Sequence, residues 1–126
     1  MNALKVLQVI LSAQDVPVYP VAIPQTARLP CVVTSMVSER ANTRLDDVFG
    51  QYEAICHVSC HEATPGAAVD LGEAIKTLLM QTTQASIDGG NILVCCFKGT
   101  VDFTDYDDDR TVFRRVMDFR IQWWPQ

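Results

Sequence analysis

The sequence predicts an α+β fold, and three observations carry that expectation. Two stretches place apolar residues at helical spacing, four runs are β-branched or alternate in polarity, and 126 residues that are 48% hydrophobic suit one core. The order is α-β-β-α-β-β. It packs most simply as a four-stranded, mainly antiparallel sheet with two helices on one face, and residues 1–126 are read as a single domain.

Each element follows from its local pattern. Ala3, Leu4, Leu7, Ile10 and Leu11 recur every three or four residues, so Asn2 to Ala13 reads as an amphipathic helix. Between residues 14 and 30, Pro17, Pro20, Pro24 and Pro30 forbid helix and remove backbone donors, which predicts an extended, solvent-facing arm. Cys31 to Arg40 is rich in β-branched residues and predicts a strand, and residues 41–51 carry the Asn, Asp and Gly of a long loop. In the next strand, Tyr52 to His61, alternation assigns Tyr52, Ala54, Cys56, Val58 and Cys60 to the core face.

Thr64-Pro65 is a cap followed by a first-turn proline, and Ala68, Leu71, Ile75, Leu78 and Leu79 trace a helical stripe running to about Thr82. Ile87 to Asn91 supplies a Gly-Gly turn. Asn91 to Phe97 is apolar on both faces, as a central strand is, and Gly99 is expected to end it. In the last strand, Thr111 to Trp124, Phe113, Met117, Phe119, Ile121 and Trp123 share one face, with Arg114, Asp118, Arg120 and Gln122 on the other. Arg115 is a misfit on the inner face, and the polar face is left for water or a partner.

Ten cationic side chains against fifteen anionic ones give a net charge of −5, which disfavours wrapping a nucleic acid, because affinity for phosphates comes from cations. The apolar run Val6 to Leu11 is far shorter than the ~20 residues of a membrane span and short for a secretory leader, so no membrane partner and a cytoplasmic origin are expected. Five cysteines, Cys31, Cys56, Cys60, Cys95 and Cys96, lie in strand-like sequence, and we expect them reduced and mostly buried.

The run Cys56-His57-Val58-Ser59-Cys60-His61 holds zinc-type ligands, but strand residues four apart sit ~13 Å apart and each Cys faces away from its neighbouring His. Only convergence with Cys31, Cys95 or Cys96 across strands would build a site. Asp105-x-Asp107-x-Asp109 opens like a calcium loop, yet Arg110 stands where glycine is needed and Val116 where the bidentate Glu belongs. No nucleophile elbow or phosphate-binding loop is present, so no metal, no cofactor and no enzymatic activity are expected.

What remains is a two-signed edge. Asp105, Asp107, Asp108 and Asp109 are followed at once by Arg110, Arg114 and Arg115. One subunit's acids meeting the next one's arginines would suit head-to-tail contact, and pairing within one chain is the alternative; the sequence leaves both open. Arg120 with an exposed Trp124 is a candidate contact anchor, against a terminal strand that caps the core.

Several landmarks, in order, resemble a known family. A short leading helix precedes Tyr19-Pro20, Pro24-Gln25 and Leu29-Pro30 running directly into a strand. Asp105-Tyr106-Asp107, Val112-Phe113-Arg114-Arg115 and Asp118-Phe119-Arg120-Ile121 follow. This pattern resembles the tail-completion or tail-terminator proteins of long-tailed bacteriophages and prophages; His57, the extra cysteines and the Trp123-Trp124 pair depart from it. The resemblance implies a structural virion protein of α+β fold, made in the host cytoplasm. It would form a homo-hexameric ring on the head-proximal end of the tail, touching itself, the tail tube protein and the head-completion or neck connector protein. The alternatives are another head-tail joining protein, of head-completion or adaptor type, and a small Cys/His metal-binding module.

Overall fold

The structure is a computed structural model that describes the backbone of residues 3–20, 28–42, 51–81, 85–87, 90–106 and 110–125, with side chains over 7–20, 28–39, 52–81, 95–106 and 110–122. Its elements run α1 (Ala3–Leu11), β1 (Val18–Pro20), β2 (Cys31–Asn42), β3 (Gln51–Glu62), α2 (Pro65–Met80), β4 (Ala85–Ile87), β5 (Gly90–Tyr106) and β6 (Thr111–Pro125). They form one sheet in the order β1-β2-β3-β6-β5-β4. Among the described residues only β1 and β2 pair in parallel, and the other neighbouring strands are antiparallel.

The α+β class and the four long strands match the sequence reading. The strand count does not: the described residues hold six strands, because the four long ones are flanked by β1 and β4, three residues each. Neither has enough length or alternation to stand out in a sequence. The arm is corrected with it. Residues 14–30 are not solvent-facing throughout, since Val18–Pro20 pairs with Val32–Thr34, the Pro17 carbonyl accepts the Val32 N–H at 2.9 Å, and Val16 and Val18 pack on the core. Proline at a sheet edge loses nothing, because its missing donor would face away from the ladder; residues 21–27 lie outside the described ones. The loop of 41–51 is shorter than expected, because Ala41, Asn42 and Gln51 belong to strands, and residues 43–50 are not described.

Gly99 does not end its strand. The chain bulges at Lys98, between Phe97 and Gly99, and then stays in register with β6 as far as Tyr106↔Thr111. A bulge adds one residue to one strand and re-aims the side chains beyond it without breaking the ladder. Helix α2 opens as expected: Thr64 is extended, its Oγ1 accepts the Ala67 N–H at 3.2 Å, and Pro65 fills the first turn.

Both helices lie on the same face of the sheet, where one cluster joins Leu7, Ile10 and Leu11 of α1, Ile75 and Leu79 of α2, and the inward residues of the long strands. Alternation in β3 holds: Ala54, Cys56, Val58 and Cys60 are buried and Tyr52 is half-buried against them. Phe119 is the largest fully buried side chain, and Phe97 meets its ring edge-on with centroids 5.7 Å apart. Midway along α2 the close approach needs a glycine. An ideal Cβ on Gly72 would lie 2.7 Å from Arg115 Cδ, so the inner-face arginine passes directly beneath the helix.

Candidate assembly surface

The second face of the sheet carries no described helix, and its chemistry is set by the even-numbered residues of β6 and their cross-strand neighbours. Register aligns Ser35-His57-Asp118-Gly99 as one rung, Val33-Ser59-Val116-Val101 as the next and Cys31-His61-Arg114-Phe103 as a third. On and beside these rungs polar and charged groups find partners within the chain. His57 Nε2 lies 2.8 Å from Asp118 Oδ1, and Arg114 Nε lies 3.0 Å from Asp105 Oδ2. The second contact is ionic, because the angle at Nε does not make a hydrogen bond. The Arg114 guanidinium also stacks over Phe103, 4.6 Å from the ring centre. Nearer the other end of the sheet, Gln122 Nε2 donates to Glu53 Oε2 at 3.2 Å.

Ser59 Oγ and His61 Nε2 are 3.0 Å apart, and burial, assisted by the Arg114 charge, pushes the His61 pKa down from its ordinary value. Between the rungs lies a shallow depression of about 320 Å³, walled by His57, Thr100, Val101, Phe103, Arg114 and Asp118. An arginine that already sits beside an aspartate, interleaved with valine and phenylalanine, suits contact with a protein surface better than capture of free phosphate.

Beyond the bulge, the hairpin of β5 and β6 outruns the helices. Every residue from Thr100 to Tyr106 is exposed, including Val101 at 56%, Phe103 at 44% and Tyr106 at 84%. β6 here is covered by β3 on its other side, with Val112 and Met117 buried, so it is the β5 half of the hairpin that presents exposed apolar side chains to solvent.

The proposed contact residues divide accordingly. The structure brings Asp105 and Arg114 together within one chain, although Asp105 lies in β5 and not in a loop. Arg115 is on the opposite face, where Nε donates to Thr100 Oγ1 at 3.2 Å and lies 3.6 Å from Asp102, leaving the side chain only 14% exposed. Of the two pairings left open by the sequence, these arginines form the intrachain one. Arg120 stands between Ile55 and Cys96 on the helix-free face, its Nε buried without a hydrogen-bond partner among the described residues. Arg110 is half-buried, close enough to bear on Cys31 and His61. Asp107, Asp108, Asp109 and the Trp124 side chain lie outside the described residues, though the Trp124 backbone pairs with Asn91 in β5. Sequence reasoning missed Asp102, Phe103 and the His57–Asp118 pair. All three depend on cross-strand register, and alternation counted past Gly99 would have exposed the first two.

Four of the five cysteines are buried, as expected, and Cys96 is half-exposed. Burial pushes the thiols of Cys56, Cys60 and Cys95 up to about 12, so they remain protonated well above neutrality. The cross-strand route to a metal site is divided by the sheet, because Cys31 pairs with His61 on the helix-free face while Cys60 faces the helices. Among the described residues no three His, Cys, Asp or Glu side chains gather as a metal site would require.

No curated protein matches the chain in sequence. Among solved structures, a chain from the virion of a native gene transfer agent (GTA) particle superposes with a TM-score of 0.65 at 14% identity, covering 97% of this chain and 94% of that one, which is likeness of fold. The model of the family described as tail completion protein gp17 matches residues 2–123, nearly every element of the sheet and both helices, and the chain therefore belongs to this family of phage tail-completion proteins.

Proposed function

We propose that this chain is a structural subunit of the virion that closes the head-proximal end of the tail tube as a homo-hexameric ring and presents a docking surface to the neck connector. Family membership across residues 2–123 is the observation that carries the reading. Geometry adds to it: the helix-free face, with polar and charged groups partnered within the chain, and the solvated ribbon of Thr100–Tyr106 are surfaces of the kind that protein contacts cover. Asp105, Asp107, Asp108, Asp109, Arg110, Arg114, Arg120 and Trp124 remain the proposed contact residues, and Arg115 is reassigned to the support of α2. The work is assembly in the host cytoplasm, with no chemical turnover.

Light scattering on the purified chain, with and without tail tube protein, tests this together with negative-stain micrographs. A hexameric mass built from 14.0 kDa subunits, and rings seated on one end of tubes that have ceased to lengthen, are expected. A chain that stays monomeric beside tubes that elongate unchanged would overturn the proposal.

A further inference from the structure

The two edges of the sheet are stepped in a complementary way. On one edge β1 covers only Val32–Thr34 of β2, leaving Ser35–Asn42 without an outer neighbour among the described residues. On the other edge β4 covers only Gly90–Ile92 of β5, leaving Leu93–Tyr106 without an outer neighbour among the described residues. Tracing the register across the sheet, Val32, Val33 and Thr34 lie level with Asp102, Val101 and Thr100. The β1 step therefore stands at the level where β5 is bare. The β4 step, by the same tracing, stands at the level of Ala41 and Asn42, where β2 is bare.

Strand direction agrees with this fit. Three antiparallel pairings separate β2 from β5, so the two run in opposite directions, and β1 runs with β2. A rotation about an axis along the strands preserves every direction. It brings β1 of one copy beside β5 of the next in antiparallel sense, the more stable ladder. The contact is heterologous, which is the type that closes into a ring. Uncovered edges are pairing templates that proteins ordinarily blunt with proline, lysine or a bulge. On β5 the bulges fall at Leu93 and Lys98, before the proposed segment, and Gly99–Tyr106 carries neither lysine nor proline, its only charges being Asp102 and Asp105.

We propose that the open edge of β5 over Gly99–Tyr106 is the docking site for the β1–β2 edge of a second copy of this chain, with β1 seated at the level of Thr100–Asp102. The proposal rests on the ring reading above and adds which surfaces meet. Backbone pairing supplies the contact, and exposed Val101, Phe103 and Tyr106 lose water beside it.

The test uses the assembled full-length chain with Phe103 replaced by the photoreactive p-benzoylphenylalanine, followed by mass spectrometry of the cross-linked peptides. A cross-link to the peptide holding Val18–Pro20 of another copy is expected. A proline scan over Thr100–Tyr106 accompanies it: outward amides alternate, so about every second substitution should weaken assembly roughly tenfold or more with the thermal midpoint little changed. Cross-links from Phe103 to β5 of another copy would mean two-fold pairing of like edges and overturn the proposal. So would rings that form normally with no cross-link to the β1 peptide, or rings indifferent to all seven prolines, while leaving the ring reading intact. A chain that never assembles removes the ring reading and this inference with it.

Discussion

Burial of three thiols in the same cluster sets a pH dependence at the level of single residues. Cys56, Cys60 and Cys95 have folded-state pKa values of about 12, above the ordinary value near 9. A raised pKa means that the unfolded chain loses its protons first as pH rises. The stabilisation is full below pH 9 and is lost between pH 9 and about 12, with a slope of up to about 1.4 kcal/mol per pH unit for each thiol. Urea unfolding at pH 8 and pH 10 should show that loss, and Cys56→Ala with Cys95→Ala should flatten the slope even though the cavities lower stability at both pH values. A steeper slope in the double variant would contradict the assignment.

Another residue-scale contact, Gly72 over Arg115, decides whether α2 can lie flat. Glycine inside a helix ordinarily costs about 1 kcal/mol relative to alanine, so Gly72→Ala on an unobstructed helix would stabilise. Here the new Cβ would meet Arg115 Cδ at 2.7 Å, on a side chain held by Thr100 and Asp102. We expect Gly72→Val to destabilise by about 2 kcal/mol or more, and Gly72→Ala to turn from unfavourable to favourable in an Arg115→Ala background, a coupling that a double-mutant cycle in denaturant measures. Counting alternation along the last strand had already marked Arg115 as out of place among inward residues. What it was out of place for, room beneath a helical glycine, could not be read without the packing.

Among the elements, β5 and β6 show where sequence patterns stop being informative. Alternation reads faces well when one side is buried, and it placed Phe119, Met117 and Ile121 inside and Arg114 and Asp118 outside. It fails at a bulge, because one extra residue inverts the phase, and Lys98-Gly99 then looks like a strand end. Three-residue edges such as Val18–Pro20 fail for a different reason: their pairing is decided by what lies beside them and leaves no period to detect. For β5, Phe103→Ser should lower stability by only about 1 kcal/mol, since the ring is 44% exposed and loses chiefly its contact with the Arg114 guanidinium. Its effect belongs in assembly, where sedimentation should show a weaker complex; a large drop in melting temperature with normal assembly would mean that the ribbon is core and not contact.

For the whole molecule the balance of charge matters more than any one pair. Copies carrying −5 each repel one another, and screening by salt relieves that repulsion. Asp105–Arg114 and Asp102–Arg115 are satisfied inside one chain, so salt has few cross-copy pairs of these groups to weaken. Association followed by light scattering should therefore strengthen between about 50 and 300 mM salt, a range over which the screening length falls below 10 Å. Weakening over that range would restore the acid-to-arginine contact between subunits. The fold class, the long strands and the tail-completion family were legible because they rest on order and spacing along the chain; the proposed contact surface was not, because it depends on which rungs lie level across four strands.

The strand β6 also joins two stretches of unlike sequence: Asp107 to Asp109 precede it, and Trp123-Trp124 lie near its finish. Identical copies set side by side in one orientation would repeat that difference around a circle. Under the ring reading, the two mouths of such a collar would be bordered by different sequence, one stretch rich in aspartate and the other carrying tryptophan. A single polypeptide could in this way greet two dissimilar neighbours, above and below, without confusing them.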